Sequence, residues 1–298
     1  MYSSKTDSHE AGATLLPADV VSRRGDVIVR ETPVRSILNR SGISDYSLNC
    51  YTGCAHGCVY CYARFMQRFH PHSEPWGRFV DVKVNAVEVL KRQLRRARPG
   101  SVFVSSACDG WQPLEAELGL TRRCCELLLE RGFEIYVLTK SALVSRDLDV
   151  LSGGKACIGV TLTTLDESVR NEWEPHAAPV AERIAVLESA REAGLETSVM
   201  FGPLLPFISD TPATISALLA LAADLDVKSV YVDALNPRSG VWPSVAALLA
   251  RIRPDLLGAY RRMLFDRRER ARYLSALSAR VRTCASRLRL SDRLHVCF

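Results

Sequence analysis

Asn49-Cys50-Tyr51-Thr52-Gly53-Cys54-Ala55-His56-Gly57-Cys58-Val59-Tyr60-Cys61-Tyr62-Ala63-Arg64 carries three cysteines, Cys54, Cys58 and Cys61, at a four-then-three step inside one short stretch. That spacing lets three thiolates hold three corners of a single 4Fe-4S cluster. Cluster ligands normally come in fours, so a triplet leaves one iron for a small molecule to chelate. Gly57 supplies the backbone freedom for a loop that folds around an inorganic core. Structural zinc competes for the same residues, because Cys50 and His56 could complete a tetrahedral set. Zinc ribbons, however, pair one cysteine hook with a second about 12 to 20 residues later, and the next cysteine after Cys61 is Cys108.

Outward from this loop the chain alternates. Short β-rich runs at 48–51, 102–105, 135–138, 157–162, 197–201 and 230–235 are mostly separated by segments of helical period at 86–98, 121–131, 180–193 and 211–223. Such alternation predicts an α/β fold with a parallel sheet and right-handed crossovers. Periodicity alone does not separate a doubly wound sheet from a barrel. Three further helices (242–253, 255–265 and 267–287) and a closing strand at 294–298 are expected to form a C-terminal extension over the open side or base of the sheet. The organisation expected is a flexible N-terminal arm (1–30), a barrel-like body (31–240) and a basic helical extension (241–298).

At 298 residues with 47% hydrophobic content the chain can bury a large core. No apolar run approaches the roughly 18 residues that span a bilayer, and no export signal is read at the N-terminus, so the expected location is the cytoplasm, with no membrane partner. Ten cysteines in that setting read as thiols and metal ligands, not disulfides. Charge is uneven: from Arg251 to Phe298 there are 13 arginines against four acids, a net +9 that leaves −3 for the rest of a chain totalling +6. A basic tail invites an anionic partner such as nucleic acid. With 33 arginines to 6 lysines over the whole chain, the same tail also reads as a solvated helix face.

The stretch 49–64 resembles the signature "N-x-Y-x-G-C-x-H-G-C-x-Y-C-Y-A-R" of the spore-photoproduct-lyase-like branch of the radical S-adenosylmethionine superfamily; Cys50 stands where the family usually has another residue and stays outside the ligand set. The resemblance implies a six-unit (βα) partial TIM-type barrel, a 4Fe-4S cluster on Cys54, Cys58 and Cys61, and S-adenosylmethionine on the open iron. It also implies an external electron donor of flavodoxin or ferredoxin type. Further blocks match after each strand, where ligands gather in parallel α/β folds. Ser105 to Glu115 with Thr121-Arg122 resembles "T-D-x-Y-Q-P-x-E…T-R", with Cys108 and Trp111 departing from the usual Thr and Tyr. Thr139-Lys140-Ser141 matches "T-K-S", Thr161 to Asp166 resembles "S-x-T-T-L-D", and Glu174-Pro175 with Arg183 resembles "E-P-x-A-P…R".

By that resemblance, Tyr60 lies near the adenine, Ser106 and Asp109 near the methionyl amino group, and Gln112 and Glu115 in the adjoining wall. Lys140 meets the cofactor carboxylate and Thr161 bonds the ribose. Arg183 either binds cofactor or holds its loop closed. Cys108, after the second strand, is the spare thiol placed to return a hydrogen atom to a substrate radical. The activity implied is formation of a 5′-deoxyadenosyl radical that abstracts hydrogen from a substrate, either a DNA lesion or, in a biosynthetic enzyme, a small molecule or peptide. A zinc-stabilised binding protein is the reading from a different class.

Overall fold

The computed structural model describes residues 20–298. Most of the expected N-terminal arm therefore lies outside the described residues, and its last part is not an arm. β1 (Val20–Arg24) and β2 (Val27–Glu31) pair as an antiparallel hairpin through Gly25, whose φ is +56°. The hairpin starts a small sheet whose other members come much later in the chain, so local pattern carries little sign of it. β3 (Leu38–Arg40) and β4 (Tyr46–Leu48) then pair antiparallel. The chain leaves the main sheet at Asn49, and β5 (Tyr51–Thr52) joins β6 (Phe79–Val82), which also pairs with β2, giving the order β1-β2-β6-β5. The apolar run at 48–51, expected as one strand, is thus divided between two sheets.

From here strand and helix alternate as the sequence predicts. The order is α1 (Ala86–Leu94), β7 (Ser101–Val104), α2 (Glu115–Leu118), α3 (Leu120–Glu130), β8 (Glu134–Thr139), α4 (Leu148–Leu151), β9 (Ala156–Thr161), α5 (Glu167–Trp173), α6 (Val180–Glu192), β10 (Glu196–Leu204), α7 (Pro212–Asp224) and β11 (Ser229–Ala234). The large sheet runs β12-β11-β10-β9-β8-β7-β4-β3, where β12 is Leu294–Val296, and every neighbouring pair but β3–β4 is parallel. The crossover from β8 to β9 carries only a short 3-10 turn and the four-residue α4, too brief to leave a helical period in the sequence.

Alternation along the strands explains the layers. Val102, Val104, Ile135, Val137, Ile158, Val160, Val199 and Val230 are buried in one core with helix residues such as Val186 and Leu218. Their neighbours Phe103, Leu138, Met200, Tyr231 and Asp233 point to the opposite face and stay half-buried. Helix starts follow local chemistry: Asp166 caps α5 by accepting from the backbone N–H of Ser168 and Val169, and Thr211 caps α7 with Pro212 behind it.

The extension consists of α8 (Val241–Ile252), α9 (Leu257–Phe265), α10 (Arg267–Arg287) and β12. Leu249, Tyr260 and Met263 of α8 and α9 share a cluster with Leu205 and Leu235 at the strand ends and with Cys58 and Tyr60 of the cysteine loop. α10 lies on α7 and β12 adds to the β11 edge. α8 and α9 thus cover the carboxyl ends of the strands, whereas α10 and β12 lie at the β11 edge, the open side where covering is expected.

Candidate active site

The cysteine loop leaves β5 at the carboxyl end of the large sheet and is pinned at both sides by glycine. Gly53, at φ +83°, presses on β6 so closely that a Cβ would sit 2.5 Å from the Phe79 carbonyl oxygen. A Cβ on Gly77, at φ +97°, would meet Gly57 Cα at 2.8 Å, so two backbones touch where the loop turns between Cys54 and Cys58. The buried Gln112 amide clamps the inside: Ala55 N–H donates to its Oε1 at 2.9 Å, and its Nε2 donates to the Gly53 carbonyl at 3.4 Å. Val59 N–H donates to the Trp173 carbonyl at 2.9 Å, and the Arg64 guanidinium to the Cys58 carbonyl at 3.2 Å.

The loop thus presents three buried or half-buried thiols on a backbone held from several sides. Burial pushes the Cys58 thiol up to about 12 and raises Cys54 and Cys61 as well, so positive charge from a bound metal group is what would make thiolates the stable form. A zinc ion needs four ligands at about 2.0–2.3 Å, whereas cluster thiolates each meet a separate iron. Three thiols on one loop are a donor set that suits a cluster of separate irons, whereas a zinc ion would want a fourth ligand.

Tyr60, Lys140 and Arg183 gather around Glu174, which is fully buried, while Thr161 joins them only through its backbone carbonyl, which accepts from Arg183. Glu174 accepts from the Tyr60 hydroxyl and, at 2.9 Å, from Thr163 Oγ1, and it pairs with the Arg183 guanidinium. Burial alone would raise this carboxyl, but Arg183 and Lys140 outweigh it and hold Glu174 below the usual carboxylate range. Arg183 also donates to the carbonyls of Ala178 at 2.8 Å and Thr161 at 2.9 Å, so of its two expected roles the geometry favours closing the loop. The Tyr60 ring stacks on Trp173, 6.5 Å between centroids, and carries the Lys140 ammonium 5.6 Å from its own centroid. Among the described residues that ammonium has no ion-pair partner.

The segment after β7 holds Ser106, Cys108 and Asp109. Asp109 accepts from Thr139 Oγ1 at 2.7 Å, from Lys140 N–H at 2.8 Å and from Trp111 N–H at 3.0 Å, and it lies 3.4 Å from His56 Nδ1. Burial pushes its carboxyl up, and His56 with these donors more than reverses that, leaving it depressed. With its oxygens committed inside the protein, Asp109 locks the cysteine loop to the loops after β7 and β8. Glu115 accepts from the Tyr51 hydroxyl and the Arg122 N–H, and burial raises its carboxyl. Cys108 packs beside Cys54 and Cys61 against Trp76 and Phe79, and burial pushes its thiol up to about 12.

Asn49 belongs to the signature, yet sequence reasoning gives it no role. Its Nδ2 donates to Ser106 Oγ at 3.1 Å, while its Oδ1 accepts from Ala107 N–H at 2.8 Å and lies 3.8 Å from Cys108 Sγ. Nor does any sequence pattern single out the segment 70–81. His72 there stacks on Phe79 at 3.8 Å and bonds Asp81 at 2.9 Å, building the wall behind the cysteines. The basic tail is also partly spent: Arg251, Arg253, Arg272, Arg280 and Arg293 pair with Glu172, Asp255, Glu269, Asp210 and Asp226.

The model of the Radical SAM superfamily matches residues 48–218. The chain is 31% identical over 166 residues to an uncharacterized protein of Methanocaldococcus jannaschii, covering 55% of this chain and 62% of that one. It is 30% identical over 227 residues to an uncharacterized protein of Mycobacterium bovis, covering 73% and 66%. It thus spans less than two thirds of the length of these relatives. Among solved structures, a mutant of spore photoproduct lyase with one cysteine replaced by serine aligns with a TM-score of 0.68 at 14% identity, covering 90% of this chain and 81% of that one. A double mutant of the same enzyme with bound AdoMet and dinucleoside spore photoproduct aligns at 0.67 and 13% identity, with the same coverage. At such identities the likeness concerns the fold.

Proposed function

The chain belongs to the Radical SAM superfamily, whose members use a 4Fe-4S cluster and S-adenosylmethionine, and from that premise we propose that it is a hydrogen-abstracting enzyme acting on a substrate held against the half-buried strand face. The observation that carries this is the cysteine loop itself: three thiols on one glycine-pinned turn, with an unpaired lysine beside them. Cys54, Cys58 and Cys61 would hold the cluster and Lys140 would meet the cofactor's carboxylate as a point charge. When bound, the cluster and S-adenosylmethionine supply one-electron chemistry that ends in removal of a hydrogen atom from substrate.

The protein's own part is positioning. Tyr60, fixed through its hydroxyl by Glu174, presents a ring face with Lys140 over it. Asp109 and Arg183 act as positioning residues, and Ser106 and Thr161 line the ends of β7 and β9. Phe103, Leu138, Met200, Tyr231 and Asp233 offer a largely apolar floor with one carboxylate. Cys108, packed beside Cys54 and Cys61, would give a hydrogen atom back. A DNA lesion is the finer substrate reading, supported by the fold shared with spore photoproduct lyase; a biosynthetic substrate is the alternative.

The test is anaerobic reconstitution with iron and sulfide. The intact chain should bind about four irons, Cys54→Ala, Cys58→Ala and Cys61→Ala should each lose the cluster's charge-transfer absorption, and Cys50→Ala should keep it. A protein that holds one tight zinc and no iron refutes the proposal.

A further inference from the structure

Along the β3 edge of the large sheet, β3 and α1 flank a groove of about 1240 Å³ lined by Arg35, Arg40, Arg92, Arg95, Arg96 and Arg98, with no acidic residue in its lining. All six arginines are exposed, and among the described residues none pairs with a carboxylate. Elsewhere the same chain commonly neutralises arginine with an acid, as with Arg122 on Asp149 at 2.7 Å or Arg253 on Asp255 at 2.6 Å. Arg40 is held 4.5 Å from the Tyr46 ring centroid, which fixes its direction. Asp45, close enough to feel the Arg40 charge, is occupied by Ser101, whose N–H and hydroxyl donate to it at 2.9 and 2.8 Å.

Two ordinary explanations cover only part of this. One charge on the free edge of β3 guards against edge-to-edge pairing, and Arg40 alone does that. A cation in the last turn of α1 complements the helix dipole, and Arg92 does that. Arg35, Arg95, Arg96 and Arg98 remain, converging on the same hollow from two segments far apart in the chain.

We propose that this groove binds the phosphodiester backbone of a nucleic-acid strand. Guanidinium forks match phosphate oxygens two at a time. A row of six cations with no lining acid suits a repeating anion better than one small ligand, and the volume exceeds the ~300–1,000 Å³ of small-molecule sites. The groove follows the outer side of β3 and α1, and none of its lining residues belongs to the cysteine loop or to the loops after β7, β8 and β9, so it is a docking surface separate from the reaction mouth. The inference rests on arginine placement and not on the substrate reading: a binding result stands or falls without cofactor cleavage.

The experiment titrates cluster-loaded protein into a fluorescent mixed-sequence oligonucleotide, single-stranded and duplex, at several salt concentrations. Arg92→Ala/Arg95→Ala/Arg96→Ala should weaken binding by roughly tenfold per arginine and reduce the slope of log affinity against log salt by about two to three. Arg268→Ala/Arg282→Ala/Arg287→Ala, with the same charge change on α10, should leave both nearly unchanged. The proposal is overturned if the wild type does not bind, if the groove variant binds like the wild type, if the two triple variants lose equally, or if poly-glutamate displaces the oligonucleotide as well as unlabelled nucleic acid does.

Discussion

Lys140 carries an ammonium 5.6 Å from the Tyr60 ring centroid with no ion-pair partner among the described residues, although its charge reaches Glu174. Its neighbours Thr139 and Ser141 are tied into the loop. Lys140→Ala should therefore keep the iron and weaken S-adenosylmethionine binding by roughly ten- to a hundredfold, the worth of one charge-assisted contact of about 1.5–3 kcal/mol. Titration of the reduced cluster's magnetic-resonance signal with cofactor reads this, and unchanged binding removes the role. Cys108 makes the complementary prediction: Cys108→Ala should still cleave cofactor while correct product falls and side products rise. Single residues also mark where sequence reading stops. The cysteine triplet was legible because its members lie within eight consecutive positions. Asp109 is expected near the cofactor's amino group; that it ties the cysteine loop to the loops after β7 and β8 was not legible, because its partners Thr139, Lys140 and His56 reach it only through the fold.

Among elements, the turn from α5 into α6 contains a buried ion pair, Glu174 with Arg183, beside the bonds that Arg170 and Glu167 make to its backbone. Removing one partner strands the other charge without water, so Arg183→Met should cost about 3–5 kcal/mol, while Glu174→Gln with Arg183→Met together should cost less than the single change. The pH dependence follows from the same carboxyl. Glu174 is held below the ordinary 4.5 in the folded chain, so its contribution is present above that value and is lost as the pH falls through the folded pKa. Urea unfolding of the wild type and Glu174→Gln should show a gap at pH 7 that narrows on acidification, and a gap that widens contradicts the assignment. The "E-P" block could be seen in the sequence; that its glutamate binds Tyr60, Thr163 and Arg183 at once could not. Strands of the large sheet were visible because valine and isoleucine alternate along them. The small sheet was hidden because β2 finds its partner β6 some fifty residues later, as Ile28 against Phe79 shows.

On the scale of the whole molecule, the C-terminal helices reach the reaction site through an aromatic ladder. Tyr260 of α9 stacks on Trp173 at 6.3 Å, and Trp173 stacks on Tyr60. The buried Tyr260 hydroxyl has no hydrogen-bond partner among the described residues. Tyr260→Phe should accordingly be neutral or stabilising, whereas Tyr260→Ala should cost about 3–5 kcal/mol and loosen the cysteine loop, seen as faster loss of iron to a chelator. Equal effects from the two changes would assign the role to the hydroxyl instead. The extension was legible as helices, but its approach to Cys58 and Tyr60 depends on packing between positions some two hundred residues apart.

The measurement that bears most directly on the account is anaerobic reduction of the reconstituted chain with S-adenosylmethionine, followed by chromatography for 5′-deoxyadenosine. The account predicts its formation by the intact chain and its absence from Cys54→Ala, Cys58→Ala and Cys61→Ala. No 5′-deoxyadenosine from a fully iron-loaded wild type, or equal amounts from the cysteine variants, would contradict it.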